Sequence, residues 1–220
     1  MAATKKHSPF SAAVTMLFLA ALLWPCTLSL AAEDKGAAAP RVSFGLGGTY
    51  GLYDIYDPAG GAGDIEKSYF TGGGFIFETM FTPHLGLHSG LWYLKSMFDY
   101  GHGMEASGNA IALPLYGMVS ARNPRAAVEF MAGLKFSYYF NVDFTDKNAG
   151  ATTDVTNYIN YEQVSLDAGV TLKITIVDFV DVFVSVVGEF ALTSFSSHVE
   201  KGLDRLYGGS IQSGVLFRTY

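Results

Sequence analysis

The chain has 220 residues, of which half are hydrophobic and only 15% charged, with 25 glycines, 17 phenylalanines and 13 tyrosines. A water-facing surface is commonly about 25–35% charged, so this composition argues against an ordinary soluble domain. A formal net charge of −6 argues equally against a nucleic-acid partner.

The first stretch is a targeting segment. Lys5 and Lys6 precede the apolar run "VTMLFLAALLW", and Ser29-Leu30-Ala31 offers the small residues a signal peptidase requires. That run is too short to span a membrane as a helix, so residues 1–31 read as a secretory signal peptide and 32–40 as a short N-terminal periplasmic segment. Lipoprotein processing at Cys26 is the rival, disfavoured by Pro25 in front of it. Cleavage near Ala31 leaves no cysteine, 12 basic residues and 20 acidic ones, a net charge of −8.

Beyond the signal the period is two, the mark of strands with unlike faces. Residues 41–53 set Val42, Phe44, Leu46, Tyr50 and Leu52 against Arg41, Ser43, Gly45, Gly47 and Thr49. Residues 68–81 set Tyr69, Phe75, Phe77 and Phe81 against Gly72, Gly74, Ile76 and Glu78. Two further strands, 85–99 and 109–121, have a facing that the pattern alone leaves open. In 128–143 the apolar row runs from Val128 to Val142, opposite Glu129, Lys135, Asn141 and Asp143. Residues 158–174 carry Gln163, Ser165, Asp167, Thr171 and Lys173 on the polar side. Ser185 and Glu189 do the same in 181–194, and Ser210, Gln212 and Arg218 in 206–220. Long polar or glycine-rich connections at 54–67, 100–108, 144–157 and 196–205 alternate with short ones near 82–84, 122–127 and 175–179. Eight strands with this alternation predict an all-β, antiparallel up-and-down barrel over 41–220.

Alternation alone does not say which face meets the surroundings; the composition of the polar face does. Its charges are Arg41, Glu78, Glu129, Lys135, Asp167, Lys173, Glu189 and Arg218, four of each sign, padded by small residues. A water-facing surface would be richer in charge, whereas the narrow interior of an eight-stranded barrel suits small side chains and a few mutually neutralising charges. The opposite row is continuous Val, Leu, Ile, Phe and Tyr, with Tyr69, Tyr138, Phe140, Tyr158, Tyr207 and Phe217 near strand ends, as interfacial girdles require. The apolar row is therefore expected to face lipid, and the eight charges to form a lumenal network closing the bore.

Three of these strands, "LGLHSGLWYLKS", "NAIALPLYGMVSA" and "EFMAGLKFSYYF", resemble successive strands of the porin-family small outer-membrane β-barrel domain proteins, of the OmpA-barrel, OmpX and OmpW kind. The final strand is similar to their carboxy-terminal assembly signal, with Gly214 and terminal Tyr220, departing from it at Arg218. The resemblance implies an eight-stranded barrel in the outer membrane of a diderm bacterium, outer-membrane lipid as surroundings, the barrel-assembly machinery as a partner through the C-terminal strand, and no shared catalytic residues.

No catalytic, cofactor or metal site is expected. His88, Ser89, His102 and His198 lack the arrangement of lipid-deacylating barrels and read as surface or interface residues; His84 and His88 stand roughly 13 Å apart along a strand, too far to share an ion. Asp54, Asp57, Asp64 and Glu66 in the first loop read as solvated acids rather than a Ca²⁺ site. "GLGGTYG" (45–51) precedes no helix and is no phosphate loop. The expected protein is a non-enzymatic membrane anchor with four surface loops available to a ligand. The alternative is a narrow channel for small solutes or hydrophobic compounds, with Trp92, Leu94 and Phe98 lining its upper part. A soluble lipocalin-like binder is a third reading.

Overall fold

A computed structural model describes residues 41–56, 67–100, 102–156, 161–194 and 205–219. The expected signal peptide, the segment 32–40, Asp57, Asp64, Glu66, Tyr158, His198 and Tyr220 lie outside the described residues. Nine strands lie within them: β1 (Arg41–Tyr56), β2 (Lys67–Met80), β3 (Leu85–Asp99), β4 (Met104–Arg122), β5 (Ala126–Asp146), β6 (Ala151–Asp154), β7 (Glu162–Val177), β8 (Val180–Ala191) and β9 (Arg205–Thr219). All pair antiparallel. The order runs β4-β3-β2-β1-β9-β8-β7-β5, and a β4–β5 ladder closes the ring, so eight strands form a barrel in which every strand has two neighbours. Closure removes the open edges that hydrocarbon cannot tolerate.

The strands of the ring run from 12 residues in β8 to 21 in β5, above the ~9–11 that a tilted transmembrane strand needs. Outward side chains are apolar and uncovered: Leu46 is 66% exposed, Val186 60% and Ile211 57%. An apolar band of this extent in water would be an aggregation surface; in a bilayer it meets its own kind. The row beginning at Val128 thus looks at lipid.

The short connections are tight. Residues 178–179 join β7 to β8, and Asn123 joins β4 to β5 by accepting the Arg125 and Ala126 amides at its Oδ1, at 2.9 and 2.8 Å. Two connections expected to be long loops are largely strand. β4 begins at Met104, and the β3–β4 link is a turn with His102 and Gly103 at φ 52° and 80°. Within 144–157, β5 continues to Asp146 and turns back through β6, which pairs with it. These two turns are fastened together: the Lys147 amide donates to the Gly103 carbonyl at 2.9 Å, Asn148 Nδ2 to the His102 carbonyl at 2.5 Å, and the Lys147 ammonium pairs with Glu105.

One register break changes the reading of β5. Ser107 pairs with Asp143 but Asn109 with Phe140, so two β5 residues oppose Gly108. Asn141 absorbs the bulge at φ 50°, a left-handed conformation asparagine tolerates. Val142, expected to face lipid, is instead buried in the interior at 3% exposure, and Asn141 turns outward.

The open facing of β3 and β4 is decided by what they bury. His88, Trp92, Leu94, Ser96 and Phe98 point inward from β3, and Ala110, Ala112, Tyr116, Met118 and Ser120 from β4. Both strands looked ambiguous because much of their inward face is itself apolar.

Candidate functional site: the barrel lumen

Seven of the eight expected charges gather in three groups, each drawing on several strands. Near the short-turn end, Arg218 of β9 donates from Nη2 to Asp181 Oδ1 and to Thr175 Oγ1, both at 2.8 Å, and Thr175 Oγ1 donates to Asp181 at 2.7 Å. In the second group Lys173 of β7 bridges two carboxylates, Glu78 Oε2 of β2 and Glu129 Oε2 of β5, each at 2.5 Å. His88 Nδ1 stands 3.0 Å from the other oxygen of Glu78, and Ser120 Oγ donates to Glu129 Oε1 at 3.3 Å. In the third, Lys135 of β5 pairs with Glu189 of β8 and lies 3.8 Å from Asp167 Oδ2 of β7. Asp167 also accepts from Tyr116 Oη at 2.5 Å and Ser165 Oγ at 2.7 Å, and Glu189 from Tyr53 Oη at 3.0 Å. Arg41 is exposed at the start of β1 and joins none of the groups among the described residues.

Tyr116 ties the second and third groups together. Its ring stacks on His88 with centroids 5.7 Å apart and planes 11° apart, while its hydroxyl holds Asp167. His88 is thus a lumenal residue, 5% exposed, and not the surface histidine expected; His84 and His102 are exposed in turns. Sequence reasoning also missed Asp181, Tyr53 and Tyr116. Asp181 shares the parity of Ser185 and Glu189, so its facing could have been read. Tyr53 shares the parity of Gly45 and Thr49 and was legible in the same way, whereas Tyr116 lies on a strand whose facing the pattern leaves open.

Apolar side chains fill the rest of the bore. Ile76, Trp92, Phe183 and Leu216 crowd the β1–β9 wall, and Tyr53, Phe70, Phe98, Tyr139 and Leu206 fill the long-loop side, all within one buried cluster. Glycines on β1 make this fit. A Cβ at Gly51 would stand 2.2 Å from the Phe70 ring, and one at Gly47 3.1 Å from the Trp92 ring. Gly47 and Gly51 therefore admit large rings from β3 and β2. A void lined by Thr49, Trp92, Tyr116, Lys135, Asp167 and Gln212, among others, measures about 20 Å³, room for roughly one water molecule.

Chemically this interior pairs and stacks. Each carboxylate is met by a cation or a hydroxyl, as buried charge demands. His88, Asp181 and the two tyrosines act as partners in that pairing. Ser89, on the outward parity of β3, donates to the Pro114 carbonyl at 2.9 Å and takes no part in that pairing.

No protein-family model and no curated protein matches the chain. Solved structures do. The chain is similar to the outer membrane protein OprG from Pseudomonas aeruginosa, with TM-score 0.54 and 12% identity over 84% of this chain and 98% of that one. A major outer membrane protein from Thermus thermophilus gives TM-score 0.52 and 14% identity over 81% and 99%. Neisserial surface protein A gives 0.50 and 10% over 80% and 97%. Closed ring, strand length, outward apolar belt and these likenesses agree: the chain has the fold of the small eight-stranded outer-membrane β-barrels.

Proposed function

We propose that the barrel is a closed, non-enzymatic anchor, inserted by the barrel-assembly machinery through its C-terminal strand, whose loops carry its contacts with the surroundings. The observation behind this reading is the filling of the lumen. Among the described residues three ion-paired groups and an apolar cluster cross the bore at several depths, and the void beside Trp92 and Lys135 has room for about one water, where a solute would need a continuous aqueous path. A polar interior serves here as cross-bracing between strands distant in sequence: Lys173 ties β7 to β2 and β5. The loops are the part of such a molecule free to meet a ligand, because barrel walls face lipid outside and one another inside.

The test is electrical. The refolded barrel, its folding verified by heat-dependent gel mobility, is inserted into planar bilayers. The bilayer is expected to stay at its bare conductance. Steady conductance with a size limit for solutes would replace the closed anchor by a narrow channel lined by Lys135, Asp167 and Glu189.

A further inference from the structure

Charge on the outer face of the barrel is sparse and one-sided. Among the strand lysines and arginines whose side chains are described, Lys95 of β3 and Arg205 of β9 alone share the outward parity of the lipid-facing row, both toward the long-loop end. Arg205 lies over the Phe190 ring, 6.0 Å from its centroid. Lys95 is exposed, and no carboxylate pairs with it among the described residues. Asp99, the next outward acid on β3, is about 13 Å further along the strand.

The height of Lys95 is informative. On β3 the outward residues Leu85, Leu87, Leu91 and Tyr93 come before it. On β4 the matching polar position is Asn109, and the outward row from Ile111 to Ala121 then rises roughly 25 Å in a strand tilted ~40°, the height of an outer-membrane apolar band. Lys95 therefore stands at the band's upper margin, where the headgroups begin.

Its neighbours are donors. In register, Lys95 pairs with Thr71 of β2 on one side and Asn109 of β4 on the other, so the three outward side chains lie in one row at the ~4.8 Å strand spacing. Tyr93 Oη donates to Asn109 Oδ1 at 2.7 Å, which occupies the amide's acceptor and leaves its NH₂ group to donate outward. An ammonium, an amide NH₂ and a hydroxyl in one outward row, bordered below by hydrocarbon, complement an anion with several acceptor oxygens carried on an apolar tail.

We propose that Thr71, Lys95 and Asn109 form a binding site for the phosphate headgroup of a membrane lipid, with the acyl chains lying down the β3–β4 face over Tyr93 and Ile111. This inference does not rest on the closed-lumen reading, and the assay below is blind to conductance. The barrel is refolded into phosphatidylcholine nanodiscs doped with diphosphoryl lipid A, and retained lipid A is counted by native mass spectrometry after release into detergent. Lys95→Arg is expected to retain lipid A as the parent does, because it keeps the charge. Lys95→Gln loses about tenfold in affinity, the worth of one charge-assisted hydrogen bond. Lys147→Gln, outside the band and already paired with Glu105, changes nothing. Asn109→Ala, in the same row but uncharged, shows a smaller loss and serves as the second variant if Lys95→Gln folds poorly. Equal retention by parent and Lys95→Gln, or by parent and Asn109→Ala where only that variant folds, would overturn the site. Displacement of lipid A by equimolar inorganic phosphate would overturn the assignment to a lipid, leaving a site for a free anion.

Discussion

Lys173 shows what a single lumenal side chain does. It is 2% exposed and stands between Glu78 and Glu129, which approach from β2 and β5. Removing its charge leaves two carboxylates facing each other across a space with little water, which costs more than the ion pairs contributed, because breaking a buried pair strands the partner. Lys173→Met is expected to lower stability by about 3–5 kcal/mol, read as a drop in the temperature at which the compact gel band is lost. Adding Glu129→Gln to it should recover part of that loss by removing one stranded charge. A single variant as stable as the parent would mean that the group is solvated and not a brace. Tyr116 makes a parallel case at lower stakes. Tyr116→Phe keeps the stacking on His88 and loses only the hydroxyl that meets Asp167, so a decrease of about 1–3 kcal/mol is expected in the same assay.

At the scale of the strand, legibility depends on how unlike the two faces are. In β7 the inward residues Gln163, Ser165, Asp167, Thr171 and Lys173 are polar and the outward ones from Val164 to Ile176 apolar, so parity alone places each of them as the structure does. β3 and β4 defeat the same test, since Trp92, Leu94, Ala110 and Ala112 point inward and are as apolar as the lipid face. What accommodates these faces is the glycine-rich wall of β1, and that becomes visible only once β1 is known to stand one strand away from β3, beyond β2. The eight barrel strands, the ring they close and most of the charged set were thus readable from the alternation, whereas the aromatic filling and the inclusion of His88 needed the fold. The bulge at Asn141 was unreadable for another reason: one residue in left-handed backbone shifts the phase, and nothing in the alternating row marks it. Its cost is testable. Asn141→Gly should be tolerated, while Asn141→Val should destabilise by about 1–2 kcal/mol, because a β-branched residue is strained at φ 50°. Amide chemical shifts of Val142 would report whether the phase change survives. If Asn141→Val proves as stable as the parent with Val142 unmoved, the bulge is held by its surroundings and not by the asparagine.

At the scale of the whole barrel the question is what one substitution can open. The void of about 20 Å³ touches Trp92 on one side and the pair Lys135–Asp167 on the other, so apolar filling and charged bracing share a boundary. Trp92→Ala would enlarge that void by most of a side chain and lower stability by about 3–5 kcal/mol, the usual result of truncating a buried aromatic. It would not make a path, however. Toward the long-loop end Phe70, Phe98 and Tyr139 still fill the bore, and toward the short-turn end the Lys173 and Arg218 groups still cross it. A channel requires continuity, and the fillers lie at several depths. Trp92→Ala alone is therefore expected to leave planar bilayers at bare conductance while lowering the temperature of gel-band loss. Steady currents are expected only when the fillers are removed at every depth, Phe70, Phe98 and Tyr139 on one side of the void and the Lys173 and Arg218 groups on the other. If Trp92→Ala conducts by itself, the Trp92 ring is the gate, and the charged groups are lining rather than closure.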